Sequence, residues 1–388
     1  MVGWEWPPGH TGGLGVHCFE LSRELTRLGH RITFLTPFPG PFTPVEGVDF
    51  RSPGEERSAA PVEGGPTETY PPAYWAGASP DSPFANATEG YNAWVAARRD
   101  LGEFDLVHVH DWFGTVGGRD LARRARRPMV MTVHSTEYDR SLNHPWDHIL
   151  SHEQLGIDAA DRVIAVSRHL RQQLIERYHA DPDKVRVIYN AVRPSERLER
   201  IDPSRRVVLY VGRLAAMKGV DTFLRAAARV APMVPDALFV VAGEGPEYPR
   251  LVELAAQLEI GDRVMFLGKV SEEEREVLLS GASVFVLPSV VEPFGIAALE
   301  AMAAGVPTIV SKTSGIAEIS SSTFRVDFWD VDEFASRIAE ILEYPTLGTS
   351  MGEAGRWEAL REGWSERARE TVGVYLEAKA AREGRGPA

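Results

Sequence analysis

The stretch SVVEPFGIAALEAMAAGVPTIVS, residues 289–311, sets two carboxylates, Glu292 and Glu300, around a Pro-Phe-Gly turn in an otherwise small and apolar run. A second stretch, YVGRLAAMKGVDTFLRAA, carries Arg213 and then Lys218 five residues on. Lysine is scarce: Lys184, Lys218, Lys269, Lys312 and Lys379 are the full set, and arginine otherwise supplies positive charge. A guanidinium grips a diphosphate as a fork, and an ammonium adds a compact charge. Taken alone, the pair fits a solvated loop equally well.

Glycine turns and histidines add to this inventory. GHTGGLGVH follows the first strand, and Gly12, Gly13 and Gly15 let backbone turn sharply beside a helix N-terminus, which suits phosphate. A tight turn without a ligand explains the same residues. No Gly-Lys-Ser/Thr follows, and the spacing is not a clean G-x-G-x-x-G, so a nicotinamide cofactor has little support. AGEGPEY repeats the theme with Gly243 and Gly245, for close packing or phosphate approach. HVHDWFG places His108 and His110 on one face of a strand end, followed by Asp111, and TVHSTEYDR places His134 at the next strand end. Imidazole beside carboxylate suits polar or acid–base work. Zinc is not indicated, because no cysteine partner and no His-Glu-x-x-His helix is present. Each histidine alone fits a satisfied core or turn residue. The acid pair Asp181–Asp183 lies before a strand, where turn chemistry accounts for it. The arginines of GGRDLARRARRP read as a solvated helix face, with a membrane-surface patch as the minor alternative.

These residues need elements to hold them. Short β-rich runs (31–37, 105–110, 128–134, 162–167, 184–190) alternate with helical periods, as in VHCFELSRELTRLGH, where Phe19, Leu21, Leu25 and Leu28 recur and Gly29 suits the stop. The rhythm breaks in the charged stretch 190–206 and restarts at 206–212, 238–243, 263–268, 283–288 and 306–311. Strand alternating with helix predicts α/β architecture with parallel sheets. Two domains of similar type follow, since 388 residues exceed one ordinary core. Residues 348–383 read as helical, and the Pro/Gly-rich segment 38–90 reads as a long loop, a lid or a mobile segment. A net charge of −13 opposes nucleic-acid binding. Cys18 is the only cysteine, the opening MVGWEWPPGH lacks a signal-peptide pattern, and no run spans a bilayer, so a cytoplasmic protein is expected.

GGLGVH, HVHDW, GRLAAMKG, AGEGP and EPFGIAALEAMAAGVP, in this order along nearly the whole chain, resemble the retaining glycosyltransferases of family 4. GWSERARETVGVYLEA resembles that family's C-terminal helix, and GWEWPP with HVHDW leans toward the glycogen-synthase-like branch. The resemblance implies the GT-B fold: Rossmann-like doubly wound domains at 1–195 and 196–355 facing a central cleft, and a helix from 356–388 returning to the first. It implies transfer of a hexosyl unit, glucosyl foremost, from a nucleotide sugar to a saccharide or other hydroxyl acceptor. No metal or other cofactor is expected. Glu292 would contact the donor sugar and Glu300 the ribose. Phe294, Gly295 and Ile296 would begin the helix that faces sugar and phosphate, and Gly13, Gly15 and Gly243 would add donor contacts. Arg213 and Lys218 would stabilise the leaving diphosphate, His110 would touch the donor sugar, and His134 would lie on the acceptor side. His10 stands where starch and glycogen synthases of bacterial type usually have lysine, which loosens the branch assignment. A non-catalytic sugar-nucleotide-binding protein and a two-domain nucleotide-sugar epimerase remain as rivals.

Overall fold

The computed structural model describes residues 1–8, 12–53, 83–194 and 206–384. His10, residues 54–82 of the Pro/Gly-rich segment and most of the charged linker lie outside the described residues. Two compact units form: Met1–Asn190 with Trp364–Ala388, and Ala191–Gly363.

The first unit contains α1 (Gly13–Arg27), β1 (Ile32–Leu35), β2 (Val48–Arg51), α2 (Pro83–Ala97), β3 (Val107–His110), α3 (Thr115–Ala125), β4 (Met129–Val133), the short α4 (Glu137–Arg140), α5 (Asp147–Ala159), β5 (Arg162–Ala165), α6 (Arg168–Arg177) and β6 (Val185–Val187). β1 pairs with β2, and β3–β4–β5–β6 pair in that order, all parallel. Val2 joins the two pieces through parallel bridges to Leu35 and Val109. From this opening segment the chain builds outward through β1 and β2, then crosses to build outward through β3 to β6. The crossing puts a topological switch point beside the carboxyl ends of residues 1–3 and β3, where open α/β sheets take ligands. β3 and β4 are buried along their whole length, as parallel strands covered on both faces must be.

The second unit contains β7 (Arg206–Val211), α7 (Val220–Val230), β8 (Ala237–Ala242), α8 (Tyr248–Gln257), β9 (Val264–Gly268), α9 (Glu272–Gly281), β10 (Val284–Leu287), α10 (Ile296–Ala303), β11 (Thr308–Ser311), β12 (Phe324–Val326), α11 (Val331–Glu343) and α12 (Pro345–Leu360). Its sheet is parallel with order β12–β11–β10–β7–β8–β9, so its switch point falls between β7 and β10. α13 (Trp364–Glu383) belongs to the first unit and packs on α1. The expected boundary at residue 356 therefore falls inside α12.

Two sequence expectations need correction. The segment 38–90 is not loop throughout: Val48–Arg51 pair with β1, and α2 begins at Pro83. VDFR carries a charge at every second position and sits at a sheet edge, so it offered no apolar run to detect. Leu28 does not join the buried face of α1; it is the C-cap and is exposed, while Leu14, Cys18, Leu21 and Leu25 form that face and Gly29 supplies the left-handed stop at φ +91°. Among the described residues no helix is long and apolar enough to cross a membrane.

Candidate active site

In the second unit the carboxyl ends of β7 and β10 carry the cations and the first acid. Gly212 and Arg213 leave β7, a 3-10 turn spans Ala216–Lys218, and α7 follows. Pro288–Gly295 leave β10 and lead into α10. Backbone contacts clamp the two loops: the Val290 N–H donates to the Met217 carbonyl at 2.8 Å. Gly219, at φ +64°, sits so close to Pro288 that a Cβ there would meet its carbonyl oxygen at 2.1 Å. This register brings Lys218 Nζ to 2.7 Å from Glu292 Oε2, which also accepts from Ser289 Oγ at 3.1 Å. The Arg213 carbonyl accepts from the Tyr210 hydroxyl at 2.9 Å, which pins the start of the same loop.

The 292–295 turn rests on a strap that sequence reasoning missed. Glu292 bridges to Ser314, the Gly315 N–H donates to the Glu292 carbonyl at 2.9 Å, and the Ile316 N–H donates to the Phe294 carbonyl at 2.7 Å. A Cβ on Gly315 would meet the Pro293 carbonyl at 2.3 Å, so only glycine lets the strap lie there. Phe294 is buried, Gly295 takes a left-handed conformation as N-cap, and Ile296 opens α10, whose Ala298, Ala301 and Ala303 are buried against the sheet. The N–H groups of this helix start, with its positive dipole end, can face an anion.

Glu300 has a different partner. Its Oε1 lies 3.2 Å from Arg275 Nη2 of α9. Burial raises its carboxyl above the ordinary value; Arg275 opposes that rise, and Glu272 and Glu276 add to it. Gly243 is explained by packing: its Cβ position is filled by the Gly212 carbonyl oxygen at 1.9 Å, and that of Gly245 by the Leu214 carbonyl at 2.3 Å. These glycines hold the β7 loop in place.

In the first unit the strand ends bring imidazoles together. His108 is spent structurally, with Nδ1 2.8 Å from the Tyr375 hydroxyl and Nε2 2.7 Å from Thr132 Oγ1. His110 Nδ1 lies 3.4 Å from His134 Nε2. His17 of α1, which the sequence did not single out, completes a cluster: its ring is 4.4 Å from His134 and 5.5 Å from His110, and its Nδ1 lies 2.7 Å from Asn190 Oδ1. A helix residue four positions after Gly13 gave no sequence signal of its own; only the fold sets it against the strand ends. His17 and His110 are buried, and His134 alone of the three is partly exposed. Burial first, then mutual proximity, pushes His17 and His110 well below the ordinary imidazole value, and burial takes His134 to about 3. One nitrogen from each ring could hold a metal ion, since these atoms lie within 4.8 Å of one another. His110 therefore reaches His134 rather than solvent, which gives it a positioning geometry toward that ring.

Asp111 does not contact an imidazole of the pair as the sequence suggested. Its Oδ1 accepts the backbone N–H of His134 at 2.7 Å, from a backbone at φ +55° that a non-glycine residue adopts only under constraint. Burial raises its carboxyl to about 6, opposed by Arg140 and by the N–H groups of His134 and Ser135. Glu5 was also missed. Trp4 and Trp6 enter aromatic clusters with Phe113 and Phe34, and Glu5 between them accepts the Gly15 N–H at 2.8 Å. The protein's own carboxylate thus takes one of the helix-start N–H groups expected to face phosphate at Gly13 and Gly15. Asp181 Oδ1 accepts the Asp183 N–H at 2.9 Å, a local turn as expected.

Two parallel doubly wound units, each with polar residues at a switch point, are the two halves that the GT-B fold requires. Residues 11–196 match Glycosyltransferase Family 4 and residues 194–358 match Glycosyl transferases group 1. An uncharacterised glycosyltransferase of Methanocaldococcus jannaschii is 30% identical, with 97% of each chain covered. The glycogen synthase of Mycobacterium tuberculosis is 29% identical over 98% of this chain and 94% of its own. The chain belongs to this glycosyltransferase family and is an enzyme of that class. Among solved structures, sucrose-phosphate synthase of Thermosynechococcus elongatus superposes with TM-score 0.78 at 23% identity, covering 98% of this chain and 96% of its own. Anabaena HepE in complex with UDP and glucose gives 0.71 at 18%, covering 96% and 98%. At these identities the likeness is one of fold.

Proposed function

We propose that this protein is a retaining, metal-independent hexosyltransferase that moves a glucosyl unit from a nucleoside diphosphate sugar to a saccharide or related hydroxyl acceptor in the cytoplasm. The Lys218–Glu292 pair at the β7/β10 switch point is the observation that carries the reading. Cleavage of a sugar–diphosphate bond leaves positive charge on the anomeric carbon and negative charge on the departing phosphate. Lys218 and Arg213 offset the second charge as it develops, with the α10 start adding N–H donors. Glu292, relieved of part of its ion pair when a diphosphate shares Lys218, accepts hydrogen bonds from the sugar hydroxyls. Glu300, on the same element, takes the ribose hydroxyls. His110 contacts the donor sugar, and His134, 3.4 Å from its Nδ1, lies on the acceptor side. The glucosyl preference rests on the glycogen-synthase-like motifs GWEWPP and HVHDW and on the M. tuberculosis glycogen synthase relative. The cytoplasmic setting rests on a chain whose one cysteine, Cys18, is buried and cannot form an internal disulfide.

The test is nucleotide release over a panel of ADP-, UDP- and GDP-sugars with saccharide acceptors, with and without EDTA, for the wild type, Lys218→Ala and Glu292→Ala. Transfer that survives EDTA and retains anomeric configuration, and is lost in both variants while the fold stays intact, is expected. Unchanged turnover in both variants overturns the site assignment. Binding of the nucleotide sugar without turnover of any acceptor would favour the non-catalytic rival, and interconversion of the free nucleotide sugar would favour the epimerase.

A further inference from the structure

Away from the strand ends, Glu89, His148 and His152 bring three metal-ligating groups together. Glu89 lies in α2, and the two histidines stand one turn apart on one face of α5. Glu89 Oε1 is 3.2 Å from His152 Nε2 and 3.8 Å from His148 Nε2, and the two rings lie 4.5 Å apart. Both Nε2 atoms are buried, yet neither has a hydrogen-bond partner among the described residues. At His152 the carboxylate lies within reach yet makes no hydrogen bond, and at His148 it lies beyond hydrogen-bond distance, an arrangement that leaves room for an ion between the three groups. Metal–ligand bonds of about 2.0–2.2 Å in a tetrahedron set neighbouring ligand atoms roughly 3.3 Å apart. The two carboxylate–imidazole separations bracket that spacing, and all three ligand atoms lie within 4.8 Å of one another.

The tautomer also suits a metal. His152 Nδ1 lies 2.8 Å from the His148 carbonyl oxygen. A carbonyl only accepts, so Nδ1 carries the hydrogen and Nε2 presents its lone pair, the usual outer arrangement of a ligating histidine. Trp112 and Trp146 pack against His152 and His148, at 5.8 and 5.2 Å between centroids, and restrict both rings. A plain ion pair would instead need a proton on Nε2 aimed at the carboxylate.

We propose that Glu89, His148 and His152 form a binding site for a divalent transition cation, zinc foremost, that ties α2 to α5. Two imidazoles and one carboxylate suit zinc, nickel or copper and not magnesium. Glu89 is exposed, so an ion can enter and water can take the fourth position. The site lies within the first unit, shares no residue with the Lys218–Glu292 pair of the second, and does not depend on the transfer reaction.

The experiment uses the untagged full-length protein, stripped with chelator and dialysed, then titrated with Zn²⁺ by calorimetry and with Co²⁺ by visible absorption. Wild type, Glu89→Gln, His148→Ala, His152→Gln and His17→Ala are compared, the last to separate this site from the imidazole cluster at the strand ends. Wild type should bind zinc, give the absorption of tetrahedral cobalt and melt at higher temperature as zinc is added. Glu89→Gln and His148→Ala change partly exposed residues and should fold; each should weaken binding roughly tenfold or more. His17→Ala should bind as wild type does. Absence of zinc binding at micromolar concentration in the wild type overturns the proposal. So does binding that survives Glu89→Gln and His148→Ala but is lost in His17→Ala.

Discussion

Gly219 shows how much of the donor site depends on one missing side chain. It follows Lys218, holds φ at +64° as the bridge from the 3-10 turn into α7, and lies against Pro288. Alanine there would adopt a left-handed backbone at about 1–2 kcal/mol and would also displace the Pro288 carbonyl, and with it the loop that carries Ser289 and Glu292. Gly29, at φ +91° with open space around its Cβ, separates the two effects. Both Gly219→Ala and Gly29→Ala should lower the unfolding midpoint, but only Gly219→Ala should reduce transfer, by roughly tenfold or more if the displacement costs about 1.4 kcal/mol at the transition state. Equal transfer rates in the two variants would show that the Lys218–Glu292 register does not need this contact. The lysine and the acid were legible as residue types at strand ends. The glycine's role was not, because its contact partner lies 69 residues away in sequence.

At the scale of elements, the turn that holds Glu292 depends on the strap Ser314–Gly315, and the strap's continuation is tied to α12. Glu358 accepts hydrogen bonds from Ser320 Oγ at 2.8 Å, the Ser321 N–H at 3.1 Å and Ser322 Oγ at 2.7 Å. Burial alone would raise its carboxyl; the bonds from Ser321, Ser322 and Ser320 outweigh that and hold it at about 2. The stability this group gives is present above its unfolded value of about 4.3 and is lost as pH falls toward 2. Glu358→Gln retains one acceptor but turns an NH₂ group toward donors, so a loss of roughly 1–2 kcal/mol is expected at pH 7 in urea unfolding. An unchanged midpoint would show that the serine loop holds itself. Elements were read well wherever an apolar run marked them, as in the buried strands β3, β4, β10 and β11. They were missed where pairing alone defines them, as in β2. Lys218, Glu292, His110 and His134 were legible as residue types at strand ends, and the fold pairs the first two and the last two. Glu5, His17 and Gly315 escaped, since each acquires its role from a partner that only the fold supplies.

Across the whole molecule, the densest set of perturbed charges lies in the first unit, and its balance predicts how stability changes with pH. In an unfolded chain each imidazole titrates near 6.5. In the fold, burial holds His134 at about 3 and His17, His108 and His110 well below the ordinary value. The stability from these four is complete above pH 6.5 and is lost as pH falls, because the unfolded chain takes up protons that the fold refuses. Two carboxyls act in the opposite sense. Burial raises Asp111 to about 6 and Glu153 to about 7, with Arg140 opposing in both cases. They bind protons in the fold before the unfolded chain does and so add stability as pH drops from above 7 toward 4. Four imidazoles outnumber two carboxyls, so near pH 5.5 unfolding takes up protons on balance, and each proton of imbalance contributes about 1.4 kcal/mol per pH unit. Urea unfolding of the wild type should therefore show a lower midpoint at pH 5 than at pH 7. His134→Gln, which removes one imidazole, should flatten that slope, and Glu153→Gln, which removes one opposing carboxyl, should steepen it. A midpoint that rises on acidification would mean that the buried carboxyls govern the first unit and that its imidazoles are protonated in the fold.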